Sequence, residues 1–90
     1  MKTLKVRIEG RVQGVCFRDY TMRQARAEGV TGWVRNCADG SVEALICGTD
    51  PALQRMLAWF EEGPPRSQVS AVKSQKLTPP RNFSDFQIKY

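Results

Sequence analysis

Nine consecutive residues, Gly10-Arg11-Val12-Gln13-Gly14-Val15-Cys16-Phe17-Arg18, hold most of the chemistry this chain can offer. Glycine at 10 and 14 lets a loop turn several backbone N–H groups toward one point. A helix beginning just after the loop adds the positive end of its dipole. Arg18, at that junction, supplies a planar fork that matches two phosphate oxygens. Together these groups make an anion cradle. The same glycine-flanked turn also serves purely steric ends, so the plainer reading stands beside the chemical one. A nucleotide P-loop is excluded, because Gly-Lys-Ser/Thr is missing. The second polar candidate is Asn36. Its amide accepts from a water and donates to a reacting oxygen, yet Asn beside Asp39-Gly40 is also a common turn former.

Composition narrows the chemistry further. The 90 residues contain no histidine. That removes Ser-His-Asp and Cys-His catalysis, His-ligated zinc and any imidazole base. The cysteines are Cys16, Cys37 and Cys47, an odd count without a CxxC pair, which argues against a disulfide framework and a zinc site. The carboxylates are scattered and suggest no metal-ligand cluster. Fourteen basic residues against nine acidic give a charge of +5, which suits phosphorylated small molecules, nucleic acid or plain solvation. The N-terminus alternates apolar and charged residues, unlike a signal peptide or an anchor. The longest apolar run, Ala44-Leu45-Ile46-Cys47, is far too short for a bilayer. The expectation is one domain over residues 1–90, freestanding, reduced, cytoplasmic and monomeric, with no membrane contact.

These candidates need elements to position them. Leu4, Val6 and Ile8 alternate with Lys5, Arg7 and Glu9, a first strand ended by Gly10. A helix is predicted from Phe17 or Arg18 to Glu28, with a thin stripe of Phe17, Thr21 and Ala25 and a stop at Gly29. Strands follow at Val30–Asn36 and Ser41–Gly48. Placing Asp39-Gly40 at the centre of their hairpin pairs Cys37 with Val42 and Gly32 with Cys47. Cys37 and Cys47 then lie about 17 Å apart, beyond disulfide reach. Asp50 is predicted to cap a second helix, with Pro51 in its first turn and a stripe of Leu53, Met56, Leu57 and Phe60. Gly63-Pro64-Pro65 stops it. A fourth strand runs from Val69 toward Leu77, and Phe86, Ile88 and Tyr90 alternate into a short last one. The order is that of an α+β, ferredoxin-like (βαββαβ) two-layer sandwich, with two helices on one face of a mostly antiparallel sheet. Asn36 shares a face with Val34, which places it near the start of the first helix.

The nine-residue motif, with Gly-Trp-Val-Arg-Asn at 32–36 and Asp-Gly-Ser-Val-Glu at 39–43, closely resembles the acylphosphatase family. The resemblance extends over essentially the whole chain, through Gly-Pro-Pro-Arg-Ser at 63–67 to the Phe-x-Ile ending. It implies a cofactor-free, metal-free hydrolase of the carboxyl–phosphate anhydride in acyl phosphates, with inorganic phosphate as product and inhibitor. It also implies that the amides of Val12, Gln13, Gly14, Val15, Cys16 and Phe17, with Arg18, bind the phosphate. Asn36 would orient the attacking water. Such chemistry needs no histidine, because phosphoryl transfer leans on positioning and electrostatics and a carboxylate leaves readily.

Other features read as structural. A phosphocysteine at Cys16 is the covalent alternative, and a small loop-filling residue is the reading preferred. Trp33, Trp59 and Phe60 are expected to pack. Glu61, Glu62, Arg23 and Arg26 are expected on solvated helix faces. The competing class is a ferredoxin-like nucleic-acid-binding module without catalysis. It would need aromatics on the central strands, and Leu4–Glu9 and Ser41–Cys47 contain none.

Overall fold

The computed structural model describes residues 1–90. The elements run β1 (Lys2–Arg11), α1 (Phe17–Glu28), β2 (Thr31–Asn36), β3 (Val42–Gly48), α2 (Asp50–Glu62), β4 (Gln68–Leu77) and β5 (Phe86–Lys89). The strands form one sheet in the order β4-β1-β3-β2-β5. Every neighbouring pair is antiparallel except β2 with β5, which is parallel. The helices pack on one face, α1 against β2 and β5, α2 against β4, β3 and β1. This is the ferredoxin-like arrangement, extended by β5 at the edge beside β2. No helix is long and apolar enough to cross a membrane.

Period-two alternation puts Val6 and Ile8 of β1, Val34 of β2, and Val42, Ala44 and Ile46 of β3 against the helices. All six are fully buried. The stripe of α1 is the predicted one, with Phe17, Thr21 and Ala25 buried. The Thr21 hydroxyl is satisfied inside the core by donating to the Phe17 carbonyl at 2.8 Å. Leu53, Met56 and Phe60 of α2 meet it from the other side, while Leu57 is half-buried. Phe17 stacks on Phe60 with ring centroids 6.2 Å apart and tilts against Trp59 at 5.8 Å. The start of α1 is therefore pinned to the end of α2 by aromatic packing.

Two local expectations are corrected. The cap of α2 is Thr49, whose side chain accepts from the Ala52 N–H at 3.4 Å; Asp50 is the first helical residue. Either residue type caps well, and with β3 ending at Gly48 the position falls to Thr49, whose extended backbone suits it. The hairpin register is also shifted by one residue. Asn36 pairs with Val42, Gly32 with Ile46 and Thr31 with Cys47. The Gly40 N–H donates to the Cys37 carbonyl at 3.2 Å and the Cys37 N–H to the Ser41 carbonyl at 2.8 Å. The connection is thus a three-residue loop over Ala38, Asp39 and Gly40. Gly40, at φ 93°, closes it in the left-handed region. All three cysteines are free thiols.

Candidate active site

β1 ends at Arg11 and α1 begins at Phe17, leaving Val12 to Cys16 as the connecting loop. Gly14, at φ 73°, and Cys16, at φ 61°, both take left-handed conformations, and these two reversals curl the loop. Val12 is fully buried and Val15 is packed into the core, so the loop is anchored from beneath. The N–H groups of Gln13, Gly14, Val15 and Cys16 have no hydrogen-bond partner within the chain. Four consecutive unpaired donors at a helix start are an unusual concentration of positive backbone charge.

A cavity of about 460 Å³ lies against this loop. Val12, Gly14, Cys16, Phe17 and Arg18 border it on one side. Asn36, from the end of β2, borders it on the other. Arg18 and Asn36 are 18 residues apart in sequence, and the fold brings them to one hollow because α1 packs on β2. Gln13 and Val15 do not line the cavity through their side chains. Gln13 instead donates from Nε2 to the carbonyls of Cys37 and Ser41, both at 2.7 Å. It ties the loop to the hairpin that carries Asn36.

Arg18 is half-buried and forms no salt bridge, whereas Arg7, Arg23, Arg26, Arg35 and Arg55 each meet a carboxylate. Its Nη1 donates weakly to the Lys89 carbonyl at 3.4 Å, and its guanidinium carbon lies 4.9 Å from the centre of the Tyr90 ring. The fork is held in place with most of its donors free. The Asn36 side chain makes no hydrogen bond within the chain. The turn contact it was in competition for is made by Asp39, whose Oδ1 accepts from the Ser41 N–H at 3.0 Å and the Ser41 hydroxyl at 2.6 Å. Arg7 pairs with Asp39 from β1 and fixes the hairpin further.

Three lining residues went unnoticed as site residues in the sequence: Asp19, Ile88 and Tyr90. The signal for the last two was their alternation with Phe86, which fixes one face for all three once β5 joins β2. Arg26 is exposed, as expected of a solvated helix face, and makes contacts as well. It reaches β5, donating to the Asp85 carboxylate at 3.1 Å and the Phe86 carbonyl at 3.2 Å. Trp33 stands on the open face of the sheet, between Arg35 at 5.5 Å and Lys89 at 4.6 Å. The strands β1 and β3 carry no aromatic residue there. No three His, Cys, Asp or Glu side chains gather as a metal-ligand group.

Comparison with known proteins shows the family of the chain. The family model described as Acylphosphatase matches residues 4–88. The acylphosphatase of Sinorhizobium medicae is 57% identical over 83 residues, covering 92% of this chain and 88% of the relative. That of Rhizobium meliloti is 52% identical over 83 residues, covering 92% and 87%. Among solved structures, the crystal structure of acylphosphatase from Bacillus subtilis superposes with a TM-score of 0.96 at 33% identity, covering 100% of both chains.

Proposed function

Since this chain belongs to the acylphosphatase family and hydrolyses acyl phosphates, we propose that Arg18 and the amides of residues 12–17 hold the phosphoryl group while Asn36 positions the attacking water. The observation that carries the reading is the run of unpaired N–H groups beside a cavity shared by Arg18 and Asn36. Water attacks phosphorus in line with the bond to the acyl oxygen. The P–O bond breaks, the carboxylate departs, and the water's proton passes to solvent. Charge spreads over three equatorial oxygens as this happens, and the loop amides with the Arg18 fork are arranged to receive it. The Asn36 carbonyl oxygen accepts from the water and orients its lone pair toward phosphorus. No strong base is required, because the leaving carboxylate is already stable.

Inorganic phosphate, the product, presents the same oxygens and is a competitive inhibitor in this reading. It should raise the melting temperature by mass action. The mechanism assigns no role to a metal or cofactor, and turnover should persist in excess EDTA. In this reading residues 1–90 act as one domain, in the cytoplasm and as a monomer. The direct test is benzoyl phosphate hydrolysis, with single-stranded RNA binding as the control. Turnover inhibited competitively by phosphate supports the site. RNA binding without turnover would favour a nucleic-acid module.

A further inference from the structure

A second depression, of about 260 Å³, adjoins the candidate active site. Gly14 and Cys16 border both hollows, so the phosphate loop is the ridge between them. Beyond the ridge the walls are Tyr20 of α1 with Pro65 and Arg66 of the α2–β4 connection. Asn36 borders the first hollow and not the second.

Arg66 is exposed and, like Arg18, forms no salt bridge. Its backbone is well fixed. The Ser67 N–H and hydroxyl both donate to the Pro64 carbonyl, at 3.0 and 2.7 Å, closing a tight turn around Pro65 and Arg66. Two prolines in a row restrict the approach to that turn. The turn thus fixes the Arg66 backbone beside the loop and leaves its side chain free to reach the hollow. The ridge is low at Gly14, where an added Cβ would meet nothing within 4 Å. Arg23 lies over the Tyr20 ring and is paired with Asp19, and Glu62 borders a separate hollow and is not paired with Arg66.

In-line displacement puts the departing acyl group on the side of phosphorus away from the water. Asn36 borders the first hollow only, and the shared edge at Gly14 and Cys16 leaves the acyl group a way toward Tyr20, Pro65 and Arg66. Tyr20 and Pro65 offer apolar surface, and Arg66 offers an unpaired positive charge. Resting on the site reading above, we infer that this second hollow is the acyl subsite, and that Arg66 selects acyl phosphates bearing a further anionic group on the acyl part.

The test compares kcat/KM for benzoyl phosphate and 4-carboxybenzoyl phosphate in the wild type, Arg66→Gln and Arg66→Glu. Arg66→Gln should lose about threefold to fivefold more on the carboxylated substrate than on benzoyl phosphate, the scale of one exposed ion pair. Arg66→Glu should lose more, and added salt should erase the differences. Benzoyl phosphate turnover should fall less in each variant, because the phosphoryl charge is common to both substrates and only one of them carries the carboxylate. A ratio between the two substrates that stays constant across all three proteins overturns the subsite. Arg18→Gln serves as the companion variant. If it leaves benzoyl phosphate turnover intact, the underlying site falls and the subsite with it. If it abolishes turnover while Arg66 has no selective effect, the subsite alone is wrong.

Discussion

Gln13 reaches out of the phosphate loop and donates to the Cys37 carbonyl at 2.7 Å, one residue beyond Asn36. Its second N–H donates to Ser41 at the same distance. One side chain thus spans the two halves of the site and sets the separation between the loop and the residue proposed to hold the water.

Gln13→Met removes both donors while keeping the length of the side chain. It leaves two part-buried carbonyls without this partner, at a cost of about 1–3 kcal/mol. The melting temperature should fall. The Gln13 backbone N–H survives, so kcat should drop by a larger factor than phosphate affinity. Parallel determinations of kcat and phosphate Ki check this. Equal losses in both would reduce Gln13 to a general stabiliser.

Cys16 sits at φ 61° and ψ 26°, the cap position of α1, with its side chain exposed. A left-handed conformation costs a non-glycine residue roughly 1–2 kcal/mol. Cys16→Gly should therefore fold at least as stably, offset in part by the greater freedom of its unfolded chain. Cys16→Ser should keep most activity, with no phosphoenzyme trapped on rapid quenching. An inactive Cys16→Ser that folds and binds phosphate would favour covalent catalysis by the thiol.

Much of this arrangement was legible in the residues. The alternation in Leu4–Glu9 and the Phe17-Thr21-Ala25 stripe placed β1 and α1, and with them the loop between. Asn36 was placed on the helix-facing side because Val34 was apolar, and parity along a strand does the rest. The hairpin register was not legible. Asp-Gly closes both two-residue and three-residue loops, and only the bonds between Cys37, Gly40 and Ser41 decide between them. The shift leaves the face of Asn36 unchanged, because that face follows from Val34 on the same strand, and alters only its partner across the hairpin, which is Val42. The Gln13 clamp was equally hidden. A glutamine in a glycine-rich loop carries no pattern that says its side chain will cross to another element.

Acid stability provides a separate check. Glu43, buried on the open face of the sheet, is subject to burial that pushes its carboxyl up. Hydrogen bonds and charge from Arg35 and Lys5 outweigh that and hold it below its ordinary value. Arg35 donates to it through Nε at 3.0 Å and Nη2 at 2.7 Å, and Lys5 lies 3.5 Å away. A carboxyl depressed in the folded state contributes stability that is complete above its unfolded value and is lost as pH falls toward the folded one. Glu43→Gln should be less stable than wild type at neutral pH. It should also lose less stability between about pH 5 and pH 3. Asp85, depressed by the Phe86 N–H and by Arg26, should leave some acid dependence in the variant. Denaturant melts at several pH values measure both effects, and parallel curves for the two proteins would contradict the assignment.

The division of labour between Arg18 and Asn36 is the central claim, and paired kcat and phosphate Ki measurements on two variants test it most directly. Arg18→Gln should lose both phosphate affinity and turnover, since the fork grips the phosphate throughout the reaction. Arg18→Lys should restore little, because an ammonium cannot make the bidentate contact. Asn36→Ala should lose turnover by ~10²-fold or more, the scale for one positioned polar group in a transition state. It should still bind phosphate as the wild type does, and circular dichroism should show each variant folded. An Asn36→Ala enzyme with near-normal kcat, or a folded Arg18→Gln enzyme with unaltered phosphate Ki, would contradict the account.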